Sequence, residues 1–590
     1  MQENKRLASS LYFGSVAFCI AWLIYFLFKN TVPVDTGDGL MHYFIAQATW
    51  SNPVYFLDHW GKPLFNFFAS SFAQFGMNGT VVFNILVFLF TCIIGQKLMT
   101  KLNTPAGLQF IFPLVLLVAN DYSMTILAGL TEPLFNLLLL ISALLLVNKK
   151  WMWFAIIVSF LPFARSEGQL PLVLAFILLL YNKQFKIIPF LGLGFILYAF
   201  IGWGLKSDFW WYFTDSPYSM DNGIYGKGTW DHYLLSYRNY LGNPGLYILI
   251  IGIPTAIYFL IKRNWQFVQF ELAFFAYGVF LGVIVLHSYF WATGQNGSLG
   301  LTRIATQGMP MFILLHLGYI GRMSWTKSKS ALIAWCCAAF FLGLSLIKTN
   351  RYPQHPSTFE LQLAKTKEFL QPHLKGNRKV YYSFPYFGYL MNENPLILGK
   401  NNTSRFYVMH SLEHDLEHRF HQGDFIVWDS HFGPKEAGLP LELIAKHKEL
   451  VLVNEFIFGT ESIRMYQIVP INKQQPITQS YWEPLKNVGA KVLEKNEFTN
   501  VLPKLDIDST QRELEVTYFS DSPEINLVFD NGNLDDYCSN HVQKGDSLML
   551  KFQLPSGVES KLYIWNPKKV NATVSLKNCR FRKVRYPKII

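Results

Sequence analysis

Apolar stretches recur from residue 11 to residue 347 and then stop. The runs lie near 11–28, 80–96, 106–120, 126–147, 151–164, 169–181, 187–204, 245–261, 267–287, 304–320 and 331–347. Since about 20 apolar residues in a helix span the hydrocarbon core, they predict about eleven membrane helices, several of them short. Past Arg351 the pattern changes to a helix near 358–372 followed by alternating segments such as Lys379-Val-Tyr-Tyr-Ser-Phe, Asp424-Phe-Ile-Val-Trp and Glu449-Leu-Val-Leu-Val. Alternation with helical stretches between strands predicts an α/β unit. From about residue 475, short strands separated by Gly, Asn, Asp and Pro predict a β-rich module. The expected fold class is a polytopic α-helical membrane protein with a C-terminal α/β plus β-rich region, divided as 1–348, 349–474 and 475–590.

Basic residues set the expected orientation. Lys5, Arg6, Lys97, Lys101, Lys149, Lys150, Lys183, Lys186, Lys262, Arg263, Arg322, Lys327 and Lys329 fall in alternate short loops, which places those loops in the cytoplasm. An odd number of crossings then puts everything after Lys348 on the opposite, periplasmic side of an inner membrane. Much of the net charge of +12 serves this topology, so no nucleic-acid partner is expected. The first apolar run is not followed by a small-residue cleavage site, which predicts a retained anchor. Cys19, Cys92, Cys336 and Cys337 lie in apolar runs and read as packing residues, whereas Cys538 and Cys579 lie in the outer region, where an oxidising compartment permits a disulfide.

The polar residues inside and beside the apolar runs change the picture from scaffold to enzyme. Asp35 and Asp38 follow the first run and are followed in turn by Lys62; under the expected topology Asp121, Glu132, Arg165, Glu167, His287 and Arg303 fall on the same outer side. Charges beside a bilayer are costly unless solvated, paired or used, so their shared side points to a site. Transfer of a group from a lipid-bound phosphate to a hydroxyl or amine suits this set. One carboxylate accepts the acceptor's proton, and cations hold the departing phosphate. Asp38 is the first candidate base and Asp35 the second. Lys62, Arg165 and Arg303 are the candidate donor-phosphate partners, a guanidinium engaging phosphate oxygens in pairs and a lysine acting as a point charge. Asp121, Glu132, Glu167 and His287 are secondary candidates, and the acids are compatible with a divalent metal.

The stretches Asp38-Gly-Leu-Met-His-Tyr43-Phe-Ile-Ala46, Trp60-Gly-Lys62-Pro63, Leu130-Thr-Glu132-Pro, Arg165-Ser-Glu167-Gly168 and Leu301-Thr-Arg303 resemble the GT-C superfamily of polyprenyl-phosphate-dependent glycosyltransferases, in particular the branch with protein O-mannosyltransferases and lipid A aminoarabinose transferases. The resemblance covers roughly residues 10–350. It implies a helical membrane bundle with an outer soluble domain, an acid of the first outer loop as base (Asp38), and a lysine near the donor phosphate (Lys62). It also implies a polyprenyl-phosphate-linked sugar as donor, a glycan, lipid or protein as acceptor, membrane lipids as surroundings, and inversion at the anomeric centre. Two departures stand out. Gly39 takes the place of a Glu found in many relatives, and Leu64 that of a second proline.

The loop from Lys206 to Pro244 carries Trp210, Trp211, Tyr212, Tyr218, Tyr225 and Trp230 beside Asp208, Asp215, Asp221 and Asp231, which reads as an interfacial aromatic belt or as a cover stacking on sugar or lipid. In the outer region, His414-Asp-Leu-Glu417-His418 has the H-x-x-E-H form of an inverted zinc peptidase, but with the segment strongly charged and no third ligand in view a solvated helix face is favoured over a zinc peptidase or a non-catalytic metal site. Asp429 and His431 end the strand Gly423-Asp-Phe-Ile-Val-Trp428, where a turn-capping role is favoured over an acceptor site. The rivals to a glycosyltransferase are therefore a lipid flippase or membrane scaffold without catalysis, and a periplasmic metal-dependent hydrolase built on His414, Glu417 and His418.

Overall fold

A computed structural model describes residues 2–217, 226–262, 269–296, 298–323, 352–374, 378–397, 420–458, 461–470 and the strands of 479–587, with a few short pieces between them. The chain forms two compact units, Met1–His355 and Pro356–Ile590. Among the described residues of the first, five helices are long and apolar enough to cross a membrane: Ser10–Lys29, Met77–Lys101, Phe185–Lys206, Gly242–Ile261 and Phe270–Thr293. At about 1.5 Å per residue, their 20 to 25 residues match a hydrocarbon core about 30 Å thick. The chain is a polytopic helical membrane protein.

The count among the described residues is lower than the eleven expected, because some runs are broken or bent, some form short helices and one lies mostly outside the described residues. The pair Asn120–Leu127 and Glu132–Val147 makes one broken span with a 112° bend, which brings the total to six. Gly129 turns this bend in the left-handed region, at φ 66°. The Asn84 side-chain amide donates to the carbonyls of Leu130 (2.8 Å) and Thr125 (3.3 Å), so backbone acceptors freed by the break are satisfied within protein. The run 106–120 is split into Ala106–Gln109 and Ile111–Val118. Three more runs form shorter apolar helices, Trp151–Ala164, Ser166–Tyr181 and Met309–Ile320. Most of the run 331–347 lies outside the described residues.

The second unit opens with the helix Thr358–Leu370, started by a capping box between Ser357 and Glu360. A five-stranded mixed sheet follows, ordered Thr403–Arg405, Val380–Tyr382, Phe425–Asp429, Glu461–Ile468, Leu450–Phe458; its first three strands are parallel and the rest antiparallel. Residues 479–585 make two antiparallel sheets. Leu514, Val516, Tyr518 and Val574 of one sheet and Leu527, Phe529, Leu562 and Ile564 of the other share a single buried core, so the two sheets pack face to face. Cys579 is a buried free thiol. The histidine motif at 414–418 falls, but for Leu416, outside the described residues.

Asp429 behaves as a turn-former. Its Oδ1 accepts the backbone N–H groups of His431 (3.0 Å) and Phe432 (2.6 Å), and the side chain is buried. Burial pushes its pKa up to about 6, against the lowering effect of those N–H donors. Raised above its unfolded value, the group stabilises the fold fully below about pH 4, and that contribution is lost as pH rises through 6. The expected loss is on the order of 2–3 kcal/mol. Asp429→Asn keeps the acceptor oxygen and removes the charge. Denaturation of wild type and variant at pH 4 and pH 7 is expected to show a smaller fall for the variant; equal falls would refute the assignment.

Candidate active site

The site begins at a tight loop. Asp35 Oδ1 accepts the N–H groups of Gly37 (2.9 Å) and Gly39 (3.1 Å), which fixes the start of the helix Asp38–Ala48 and with it the position of Asp38. Gly39 lies against the bend of the broken span: a Cβ there would sit 2.3 Å from the Ala128 carbonyl oxygen and 3.1 Å from Asp35 Cβ. A glutamate at 39 does not fit this backbone, and Asp35 supplies the second acid from three residues upstream. Gly39→Ala is therefore expected to cost about 1–3 kcal/mol by overpacking and to displace Asp38. Thermal unfolding in detergent checks it; an unchanged midpoint would contradict the close approach.

Lys62 is placed by a second turn. Asp58 Oδ1 accepts the Gly61 N–H (2.7 Å), and Lys62 itself takes φ 64°, a strained conformation for a residue with a side chain, just before Pro63 starts the helix Pro63–Ala73. The lysine is buried and its Nζ donates to Ser166 Oγ at 3.3 Å.

Around these residues runs a continuous chain of ion pairs. Arg303, in the turn Thr302–Thr306, donates from Nη1 to Asp35 Oδ2 (2.7 Å) and from Nη2 to Asp38 Oδ2, with its Nε 3.7 Å from Glu132 Oε1. Glu132 Oε1 also meets Arg165 Nη1 at 2.9 Å. Arg165 reaches Thr131 Oγ1 (2.8 Å) and grips Glu167 through Nε (3.3 Å) and Nη2 (3.1 Å). Glu167 Oε1 further accepts from Gln307 Nε2 (2.9 Å) and lies 3.3 Å from His287 Nε2. Both arginines expected to hold phosphate are thus engaged by carboxylates. Such bidentate pairs fix guanidinium orientation in a site of low dielectric.

A cavity of about 430 Å³ opens on this network. Asp38, Lys62, Glu132, Arg165, Glu167, His287 and Arg303 all line it, gathered from segments up to 265 residues apart. Asp35 contacts the network without lining the cavity, and Asp121, buried on Asn120–Leu127, does not reach the wall. The aromatic loop divides. Trp211 is buried and donates from Nε1 to the Tyr198 carbonyl, while Tyr212 and Phe213 line the cavity and Trp210 and Trp230 are exposed. Among the described residues no three of His, Cys, Asp and Glu are placed to hold one metal ion, and Asp35, Asp38, Glu132 and Glu167 already face guanidinium groups. The residues of this site do not fit a resident metal.

Several wall residues escaped the sequence reading: His42, His59, Ser166, Phe213 and Ser298. A signal existed for His42, one helical turn beyond Asp38 and so on the same face. For the others, position in the chain held no clue.

No family model matches this sequence, and no curated protein matches it. Among solved structures, the fold is similar to the crystal structure of ArnT from Cupriavidus metallidurans in the apo state, with a TM-score of 0.49 and 9% identity over 78% of this chain and 98% of that one. It is similar to the same protein bound to undecaprenyl phosphate, with a TM-score of 0.48 and 9% identity over 76% and 97% of the two chains. A cryo-EM structure of arabinosyltransferase EmbB from Mycobacterium smegmatis is similar at a TM-score of 0.33 and 8% identity, over 97% of this chain and 64% of that one. With TM-scores below 0.5, these similarities assign no residue and no activity to this chain.

Proposed function

We propose that the protein is a membrane glycosyltransferase that moves a sugar from a polyprenyl-phosphate donor to a glycan, lipid or protein acceptor, at the periplasmic face of an inner membrane and with inversion. The observation that carries this reading is the convergence of one accessible carboxylate, a buried lysine and two orientationally locked arginines on a single cavity in a bundle of apolar helices. The sequence resemblance points to the same chemistry.

In the reaction, the acceptor hydroxyl or amine attacks the anomeric carbon as the bond from that carbon to the phosphate oxygen breaks. Asp38 takes the acceptor's proton, and the polyprenyl phosphate leaves with one more negative charge than it bore as a diester. Lys62 faces that growing charge as a point cation, and the Arg303 and Arg165 guanidinium groups, preset by Asp35, Glu132 and Glu167, add a positive field that needs no reorganisation. Asp35 spends both oxygens on backbone N–H groups and Arg303, so it positions and Asp38 reacts. A single base is all that direct displacement requires.

The test is release or transfer of radiolabelled sugar from polyprenyl-phosphate donors by the purified protein, beside a Lys62→Met variant. Sugar release by the wild type, reduced tenfold or more in the variant, supports the reading. Folded protein that turns over no donor, or that moves intact lipid across vesicles without releasing sugar, removes it.

A further inference from the structure

A second recess, of about 330 Å³, lies at the other end of the bundle from the ion-pair network. Glu132, in that network, opens the helix Glu132–Val147, and Asn148, which follows its last residue, lines the recess together with Leu144. Gln96, Lys97, Thr100 and Lys101, from the last turns of Met77–Lys101, complete the wall. Lys97 stands about 30 Å along its helix from Met77, the thickness of a hydrocarbon core, so the recess lies at the depth of lipid headgroups. Basic residues that only set topology need no more than a place in a loop. Lys97 and Lys101 instead sit within a helix, one turn apart on a single face, where like charges repel. No carboxylate lines the recess, and among the described residues neither lysine forms an ion pair; Lys149, just outside, lies 3.8 Å from Glu271 Oε1.

We propose that this recess binds the headgroup phosphate of an anionic phospholipid, at a site separate from the catalytic cavity and independent of the transfer reaction. The wall is rich in donors. Asn148 gives one amide N–H to the Leu144 carbonyl (2.7 Å) and Thr100 its hydroxyl to the Gln96 carbonyl (2.8 Å). That leaves the second Asn148 N–H, the Gln96 amide and two ammonium groups for phosphate oxygens. Both lysines are exposed, so a lipid head reaches them without any rearrangement of the bundle. Basic pockets between the ends of membrane helices are suited to phospholipid heads, each basic group near the surface adding to the attraction. A chain-bearing ligand is favoured over a soluble anion by what lies next to the recess. Phe90 is two turns from Lys97 on the same helix face and Leu86 one turn further, and both are exposed. They continue the recess as an apolar track toward the middle of the membrane, along which an acyl chain lies while its phosphate meets the lysines.

The experiment titrates the full-length protein in neutral detergent with phosphatidylglycerol, phosphatidylcholine or glycerol phosphate, and counts bound molecules by native mass spectrometry. Wild type is compared with a Lys97→Gln, Lys101→Gln double variant and with a Lys149→Gln, Lys150→Gln double variant, which removes two charges beside the recess but not from its wall. Thermal unfolding without lipid verifies that each variant is folded. The wild type is expected to bind phosphatidylglycerol more than tenfold tighter than phosphatidylcholine. The first double variant should lose about 25-fold in affinity for phosphatidylglycerol, about fivefold for each ammonium group, and the second clearly less. In the wild type alone, raised ionic strength should weaken phosphatidylglycerol binding and leave phosphatidylcholine unaffected. Equal affinity for the two lipids, a preference insensitive to salt, or a loss in the first variant no larger than in the second overturns the site. Glycerol phosphate bound as tightly as phosphatidylglycerol overturns its assignment to a lipid.

Discussion

Replacing Asp38 by Asn is expected to lower sugar transfer on the order of a hundredfold or more, the size of a lost general base. The geometry makes this a clean experiment. Asn keeps the side chain's shape and an oxygen that still accepts from Arg303 Nη2, so the network around Arg303 retains its partners. Asp38 stands at the first position of its helix, where Asn is also tolerated, and the cap-forming Asp35 is untouched. What disappears is the ability to take a proton. In single-turnover measurements at saturating donor, the rate of the chemical step should fall while donor affinity stays within a few-fold of the wild type. Asp35→Asn should behave differently, losing stability and transfer together, because both Asp35 oxygens hold structure. If Asp38→Asn turned over as fast as the wild type, the base would have to be sought at Glu132 or Glu167, the remaining carboxylates on the cavity wall.

The second large effect is expected at Glu132. It is 1% exposed, and one of its oxygens lies between Arg165 Nη1 at 2.9 Å and Arg303 Nε at 3.7 Å. Neutralising it leaves two buried guanidinium groups facing each other across the gap with one fewer countercharge. Breaking a buried pair from one side typically costs about 3–5 kcal/mol. Glu132→Gln is therefore expected to cost about 3 kcal/mol, at the low end because Arg165 retains Glu167 and Arg303 retains Asp35 and Asp38. The same change should slow transfer more than tenfold, since both arginines lose a fixed orientation. Glu132→Asp keeps the charge on a shorter stem and should recover stability before activity. Thermal unfolding in detergent with parallel rate measurements reads both effects, and a Gln variant indistinguishable from the wild type would sink the claim that Glu132 joins the two arginines.

Much of the lining of the candidate site was legible in the chain. Seven of the nine residues singled out by charge and side of the membrane line the cavity, because charged groups near a bilayer survive only where they are paired or wet. Their partners were not legible. Arg303 meets Asp35 across 268 residues and Asp38 across 265, and no local pattern records a contact of that span. The arginines were read as free to take phosphate, whereas each is already gripped by acids. Asp121, read from the chain as a secondary candidate on the same outer side as Asp38, is buried on Asn120–Leu127 and does not line the cavity.

The sequence by itself determined that this is a polytopic helical membrane protein, where its apolar part gives way to strand-forming segments, and which few charges among the apolar runs demand an explanation. These follow from hydropathy and period, which are properties of neighbouring residues. Only the tertiary structure decided how many runs bend, that Gly39 leaves room for nothing larger beside Ala128, and that one chain of ion pairs and polar contacts links Asp38 to His287. Those are properties of the space between segments, and in a bundle of this length that space is set by packing that the order of residues records only in sum.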